Sequence, residues 1–102
     1  MFESLVLICY IIGLGDPSYK VREDSRIKLV TSKYKFEQIA ILYHAKEIQA
    51  DPEIRLTLKN VLWVKYREAK LKDLTDEYGD VAWYDEDVLK NSFEIDLRHA
   101  KP

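Results

Sequence analysis

The 102-residue chain has one cysteine, three glycines and three prolines. A lone Cys9 cannot close an internal disulfide, which excludes a stapled secreted scaffold and fits a reducing, cytoplasmic compartment. So few turn formers exclude a sandwich or barrel, which needs a turn signal about every 8–12 residues. Long apolar runs are missing too. The longest, Leu5 to Ile12 (LVLICYII), falls far short of the ~20 residues that span a bilayer. A secretory signal does not fit either, because Glu3 occupies the place of a basic flank and no A-x-A-like site follows. Nor is there an excess of positive charge. The net charge is −2 and the sequence pI about 5.7, unlike the strongly basic domains that bind nucleic acid.

What is present is a folding composition: 47% hydrophobic and 33% charged residues, enough to fill one core and cover it as a single domain over residues 1–102. Leu5 to Ile12 reads as a first helix buried on most sides, with Cys9 as a small core residue. Gly13 and Gly15 end it. They also open a G-x-G, but Ser18 stands where a dinucleotide fingerprint needs its third glycine.

Asp-Pro occurs twice, as Asp16-Pro17 and Asp51-Pro52. Aspartate accepts from the free amides of a first helical turn, and proline suits the first helical position. Both pairs therefore predict helix starts. The following residues correspond as well, since Pro17-Ser-Tyr-Lys-Val21 and Pro52-Glu-Ile-Arg-Leu56 share the order proline, any, apolar, basic, aliphatic. Phe36, Ile39, Ala40 and Tyr43 mark one helical face, with Ile41, Ala45 and Ile48 beside it. Ile54, Leu58, Val61, Leu62 and Ala69 trace another, flanked by Trp63 and Tyr66. The reading is helices over 3–13, 17–32, 35–49 and 52–72.

Over residues 16–72 this pattern resembles HEAT-like α-helical repeats, although the chain is too short for the three or more repeats of a solenoid. The resemblance implies helical pairs that scaffold another macromolecule. The fold class expected is mainly α: a compact bundle of about four to five helices with a short C-terminal extended segment.

The charge is unevenly spread. Residues 1–72 carry 13 Lys and Arg against nine acids, whereas residues 73–96 carry nine acids against Lys90 alone, a net of −8. Such asymmetry concerns partners and association rates rather than fold. Asp80 or Asp85 can cap a short helix through Leu89, after which Phe93, Ile95 and Leu97 alternate with Glu94, Asp96 and Arg98 at strand period, so a short helix with an extended ending or a small hairpin fits, the former being preferred. Tyr78, Trp83, Tyr84 and Phe93 interleave with the acids, unlike a purely solvating tail.

No G-x-S-x-G, H-E-x-x-H or C-x-x-C is present. His44 lies three residues before Glu47, and His99 three after Asp96, too few ligands for a metal site. No catalytic residue, metal or cofactor is assigned, and an enzyme is not expected. Lys20, Arg22, Arg26, Lys28, Lys33 and Lys35 are interrupted by Glu23 and Asp24 and read as a solvated helix face that can pair with the acidic segment.

In size, charge layout and lack of catalytic motifs the chain resembles small bacterial immunity and antitoxin proteins, including those of contact-dependent growth inhibition. The resemblance implies an inhibitor that occludes the active-site cleft of a basic toxin such as a nuclease, carboxylates standing in for phosphates. The partner-binding residues expected are Asp76, Glu77, Asp80, Trp83, Tyr84, Asp85, Glu86 and Asp87. The alternative is a HEAT-like scaffold or adaptor that grips another protein through helices 17–32 and 52–72.

Overall fold

In the computed structural model, which describes residues 2–79 and 85–100, six helices follow one another: α1 (Phe2–Gly13), α2 (Tyr19–Thr31), α3 (Phe36–Tyr43), α4 (Lys46–Ala50), α5 (Pro52–Tyr78) and α6 (Glu86–His99). The protein is a mainly α helical bundle, without strands among the described residues. Its spine is α5. Asp51 starts it, Oδ1 accepting from Glu53 N at 3.0 Å and Ile54 N at 3.2 Å, with Pro52 at the first helical position. The 27 residues of α5 span about 40 Å at 1.5 Å each, close to the 42 Å long axis of the molecule. The helix runs past residue 72 because nothing interrupts it before Gly79, whose φ of +83° ends it.

The other Asp-Pro plays a different part. Asp16 Oδ1 accepts from Ser18 N at 2.8 Å, forming a turn, and Ser18 is the residue that caps α2, its Oγ facing Val21 N. Thus α2 begins two residues after Pro17. It runs in the same direction as α5: Arg22 near its start faces Glu53, and Ser32 after its end is held by Lys65. Antiparallel to it lies α1, with Gly13 against Ser25 and Tyr10 beneath Lys28.

The expected helix over 35–49 is two helices. Ala45 is extended, at ψ 140°, and a side chain takes a carbonyl freed at the break. Gln49 Nε2 donates to Tyr43 O at 2.6 Å. Gln38 Oε1 accepts from Lys35 N at 2.8 Å at the start of α3, half of a capping box.

At the C-terminus the expected extended segment is helical. The residues that decide it are Leu89, Phe93 and Leu97, all buried at a spacing of four, while the Ile95 of the strand-like alternation is exposed. Asp85 caps α6 by accepting from Asp87 N at 2.8 Å, and Arg98 and His99 lie in its last turn, where cations suit the helix dipole.

Ile54, Leu58, Val61, Leu62 and Tyr66 of α5 are buried against Leu7, Ile11 and Leu14, against Leu29 of α2, and against Phe36, Ile39, Ala40 and Tyr43 of α3. Phe93 closes the core, its ring centroid 5.4 Å from Trp63, 5.5 Å from Tyr66 and 5.9 Å from Phe36, pairs worth about 0.5–1.5 kcal/mol each beyond their area. One expectation fails outright. The first helix is not buried on most sides: Leu5, Val6, Ile8 and Ile12 are exposed, and so is Cys9. The reason is position. Among the described residues, the contacts of α1 lie on the sides of Leu7, Ile11 and Leu14 and of Gly13 and Tyr10.

Candidate functional site

The acidic residues fall on two helix ends. Asp76 and Glu77 sit in the last turn of α5 and are exposed, as is Tyr78 at 61%. Asp85, Glu86 and Asp87 open α6 and are likewise exposed. Asp80, Trp83 and Tyr84 lie outside the described residues.

The two groups do different work. Asp85 is occupied by its cap. Glu86 Oε1 accepts from Arg67 Nε at 2.7 Å, which pins the start of α6 to α5. Asp87 lies in the first turn of α6, where a carboxylate is favoured by about 0.3–1 kcal/mol. Asp76 and Glu77 have no such structural role among the described residues, and as anions at a helix C-terminus they oppose the dipole. Arg67 precedes Asp76 by nine residues on one helix, about 13 Å at 1.5 Å per residue. The carboxylates therefore fall in two groups, one beside the middle of α5 and one at its C-terminal end, rather than in one cluster.

Among the described residues, no ion pair joins the basic residues of α2 to these carboxylates. Arg26 is bonded to Glu23, which holds the Glu23 carboxyl below its ordinary range and raises the guanidinium. Arg22 Nη1 donates to Asp16 O at 2.7 Å and Pro17 O at 3.0 Å. The cations that do reach α6 come from α5: Arg67 to Glu86, and Lys59 Nζ to Glu94 at 3.1 Å.

Sequence reasoning missed a second feature. Between the start of α3, the middle of α5 and the end of α6 lies an open groove of about 930 Å³. Phe36 and Tyr66 line it together with Lys65, Lys70, Asp96 and His99. Its polar groups hold one another. Tyr66 Oη donates to Asp96 Oδ2 at 2.7 Å, and the Lys70 ammonium lies 5.5 Å from the Tyr66 ring centre. Lys65 Nζ donates to Ser32 O at 2.9 Å and Tyr34 O at 2.7 Å, tying the α2–α3 loop to α5. Partial burial lowers the Lys65 ammonium's pKa, against a smaller opposing pull from Glu68. These contacts join residues about 30 apart in the chain, so no local pattern announces them.

His44 is a structural group. Its Nε2–H donates to Leu97 O at 2.5 Å, capping a carbonyl in the last turn of α6. Among the described residues no three His, Cys, Asp or Glu side chains are placed to hold a metal ion, and no helix is long and apolar enough to cross a membrane. No family model, curated protein or solved structure matches the chain.

Proposed function

We propose that this chain is a small protein-binding module whose acidic end engages a basic partner, in the manner of an immunity or antitoxin protein that covers a toxin's cationic cleft. The observation that carries the reading is the exposed pair Asp76 and Glu77, held at the end of a 40 Å spine where they weaken the helix that bears them. Charge placed against local stability is suited to recognition. It steers a cationic surface into contact and is lost to salt in a predictable way. Tyr78 beside them supplies aromatic area of the kind that anchors interfaces.

The test is affinity capture with the native chain and with an Asp76→Lys, Glu77→Lys variant, washed at low and high salt. Lysines favour a helix C-terminus, so this variant keeps the fold and changes only the surface. Asp85 and Glu86 are left intact, because reversing them would uncap and unpin α6. Retention of a basic protein by the native chain, and its loss both from the variant and at high salt, is the expected result. Tyr19 of α2 and Leu56 of α5 are exposed apolar side chains, and they favour a second reading, a scaffold that binds through these helices. Partners retained equally by both baits would sink the acidic-end reading and favour that one.

A further inference from the structure

Lys65 is held differently from the other partnered lysines. Its Nζ donates to two backbone carbonyls of the α2–α3 loop, Ser32 O at 2.9 Å and Tyr34 O at 2.7 Å. Lys59 instead meets the carboxylate of Glu94, and Lys28, Lys70 and Lys90 lie over the rings of Tyr10, Tyr66 and Trp63. A carboxylate keeps the proton on its lysine. A carbonyl is neutral and accepts from an amine N–H as well as from an ammonium. Lys65 is also half-buried, on the wall of the groove between α3, α5 and α6. Burial disfavours its charged form, against a smaller pull from Glu68 on the same helix. Around it, Lys35 and Glu37 line the groove at the start of α3, and Asp96 and His99 line it from α6. Asp96 is engaged by Tyr66 Oη, and among the described residues no carboxylate forms an ion pair with Lys65.

The same two contacts hold the nitrogen in place for chemistry. A lysine nitrogen has three positions beyond its carbon chain. Two of them are spent on Ser32 O and Tyr34 O, and an amine that has lost one proton retains both bonds. Its lone pair then takes the third position, which neither carbonyl uses. A neutral, positioned amine of this kind is a nucleophile toward activated carbonyl groups, whereas an ammonium is not.

We propose that Lys65 is an acetylation site and that its modification unlatches the α2–α3 loop from α5. The donor is an activated acetyl group, carried on a phosphate or on a thiol. The Nζ lone pair attacks the acetyl carbonyl carbon and a C–N bond forms. The bond from that carbon to the phosphate oxygen or thiol sulfur breaks, the oxygen or sulfur leaving with the electron pair, and the nitrogen gives up a proton to water. The product amide has no charge and one N–H, so it bonds at most one of the two carbonyls. The loop thereby loses one tie to α5, and the other is no longer charge-assisted. None of this depends on what the acidic end binds.

The test treats the full 102-residue chain with acetyl phosphate in one arm and acetyl-coenzyme A in the other, and follows each lysine by peptide mass spectrometry. Lys65 should take the label severalfold faster than Lys72, which is exposed on the same helix, and the faster arm identifies the carrier. In unfolding concentrations of urea the preference should vanish, because the fold creates it. Hydrogen exchange over residues 32–35 should speed up in the acetylated chain and in Lys65→Gln. In Lys65→Arg, which keeps a cation for the two carbonyls, it should stay slow. Circular dichroism checks the fold of both variants, and if Lys65→Gln does not fold, labelling of the native chain decides. Lys65 reacting no faster than Lys72 in both arms would overturn the proposal, since the carbonyls would then shield the amine. A preference that survives urea would overturn it as well, and so would acetylation that leaves the loop's exchange unchanged. The Asp76→Lys, Glu77→Lys variant should be labelled at Lys65 as the native chain is, so this result and that for the acidic end stand apart.

Discussion

The first helix and the last both dock on α5, and they show opposite solutions to the same problem. In α6, three large apolar residues at a spacing of four are buried and polar side chains fill most of the remaining surface. The orientation of the helix is fixed by its own pattern. In α1, apolar residues surround the axis, so the pattern allows any orientation and the neighbours choose one. What chooses is close approach on the α2 side. At Gly13 a Cβ would lie 2.1 Å from Ser25 Oγ and 3.1 Å from Ser25 Cβ, so glycine lets the two helices meet there without Ser25 turning aside or either helix shifting. Amphipathicity specifies one helix and a missing side chain specifies the other.

Three substitutions probe this contrast. The largest effect belongs to Phe93→Ala. It removes the ring that meets Trp63, Tyr66 and Phe36 and should cost about 3–5 kcal/mol in urea unfolding, releasing α6. A loss below about 1 kcal/mol would mean that α6 is not held through its apolar row. Gly13→Ala comes next. The clash with Ser25 should cost about 1–3 kcal/mol, and Ser25→Gly in the same chain should recover most of it. Full stability of the single variant would show that α1 can shift on α2 without penalty. The smallest effect is that of Ile12→Ala. Although it truncates a large apolar residue, exposure at 58% should keep the change in urea unfolding within about 0.5 kcal/mol. A core-sized loss would place Ile12 inside rather than outside.

The same contrast governs how far the sequence could be read. Asp51-Pro52 and the row Ile54, Leu58, Val61 and Leu62 located α5 and its buried face, because capping and periodicity are local. Phe36, Ile39, Ala40 and Tyr43 gave the inner face of α3 in the same way. Other elements depended on information that a local pattern does not hold. Asp16 looked like Asp51, but Ser18 was the better-placed cap. Phe93, Ile95 and Leu97 alternate like a strand, and only the distant partners of Leu89, Phe93 and Leu97 resolve them as a helix. The break after Tyr43 rests on Gln49 and on a carbonyl 53 residues away. The acidic stretch was visible as composition, yet which carboxylates cap, which pair and which only face water became clear once Arg67 and the start of α6 were placed together. Exposure of α1 left no local trace at all.

The continuous helix of α5 also has a consequence for hydrogen exchange. Its amides from Ile54 to Tyr66 lie in the stretch where α2, α3, α4 and α6 close around it, so they exchange only when the whole molecule opens. Beyond Ala69 the helix is largely exposed, with Leu71 and Leu74 only half-buried, and these amides exchange by fraying from Gly79 inward. One unbroken hydrogen-bond ladder thus combines a slow half that reports global stability with a fast half, carrying Asp76 and Glu77, that can order on contact without unfolding anything behind it.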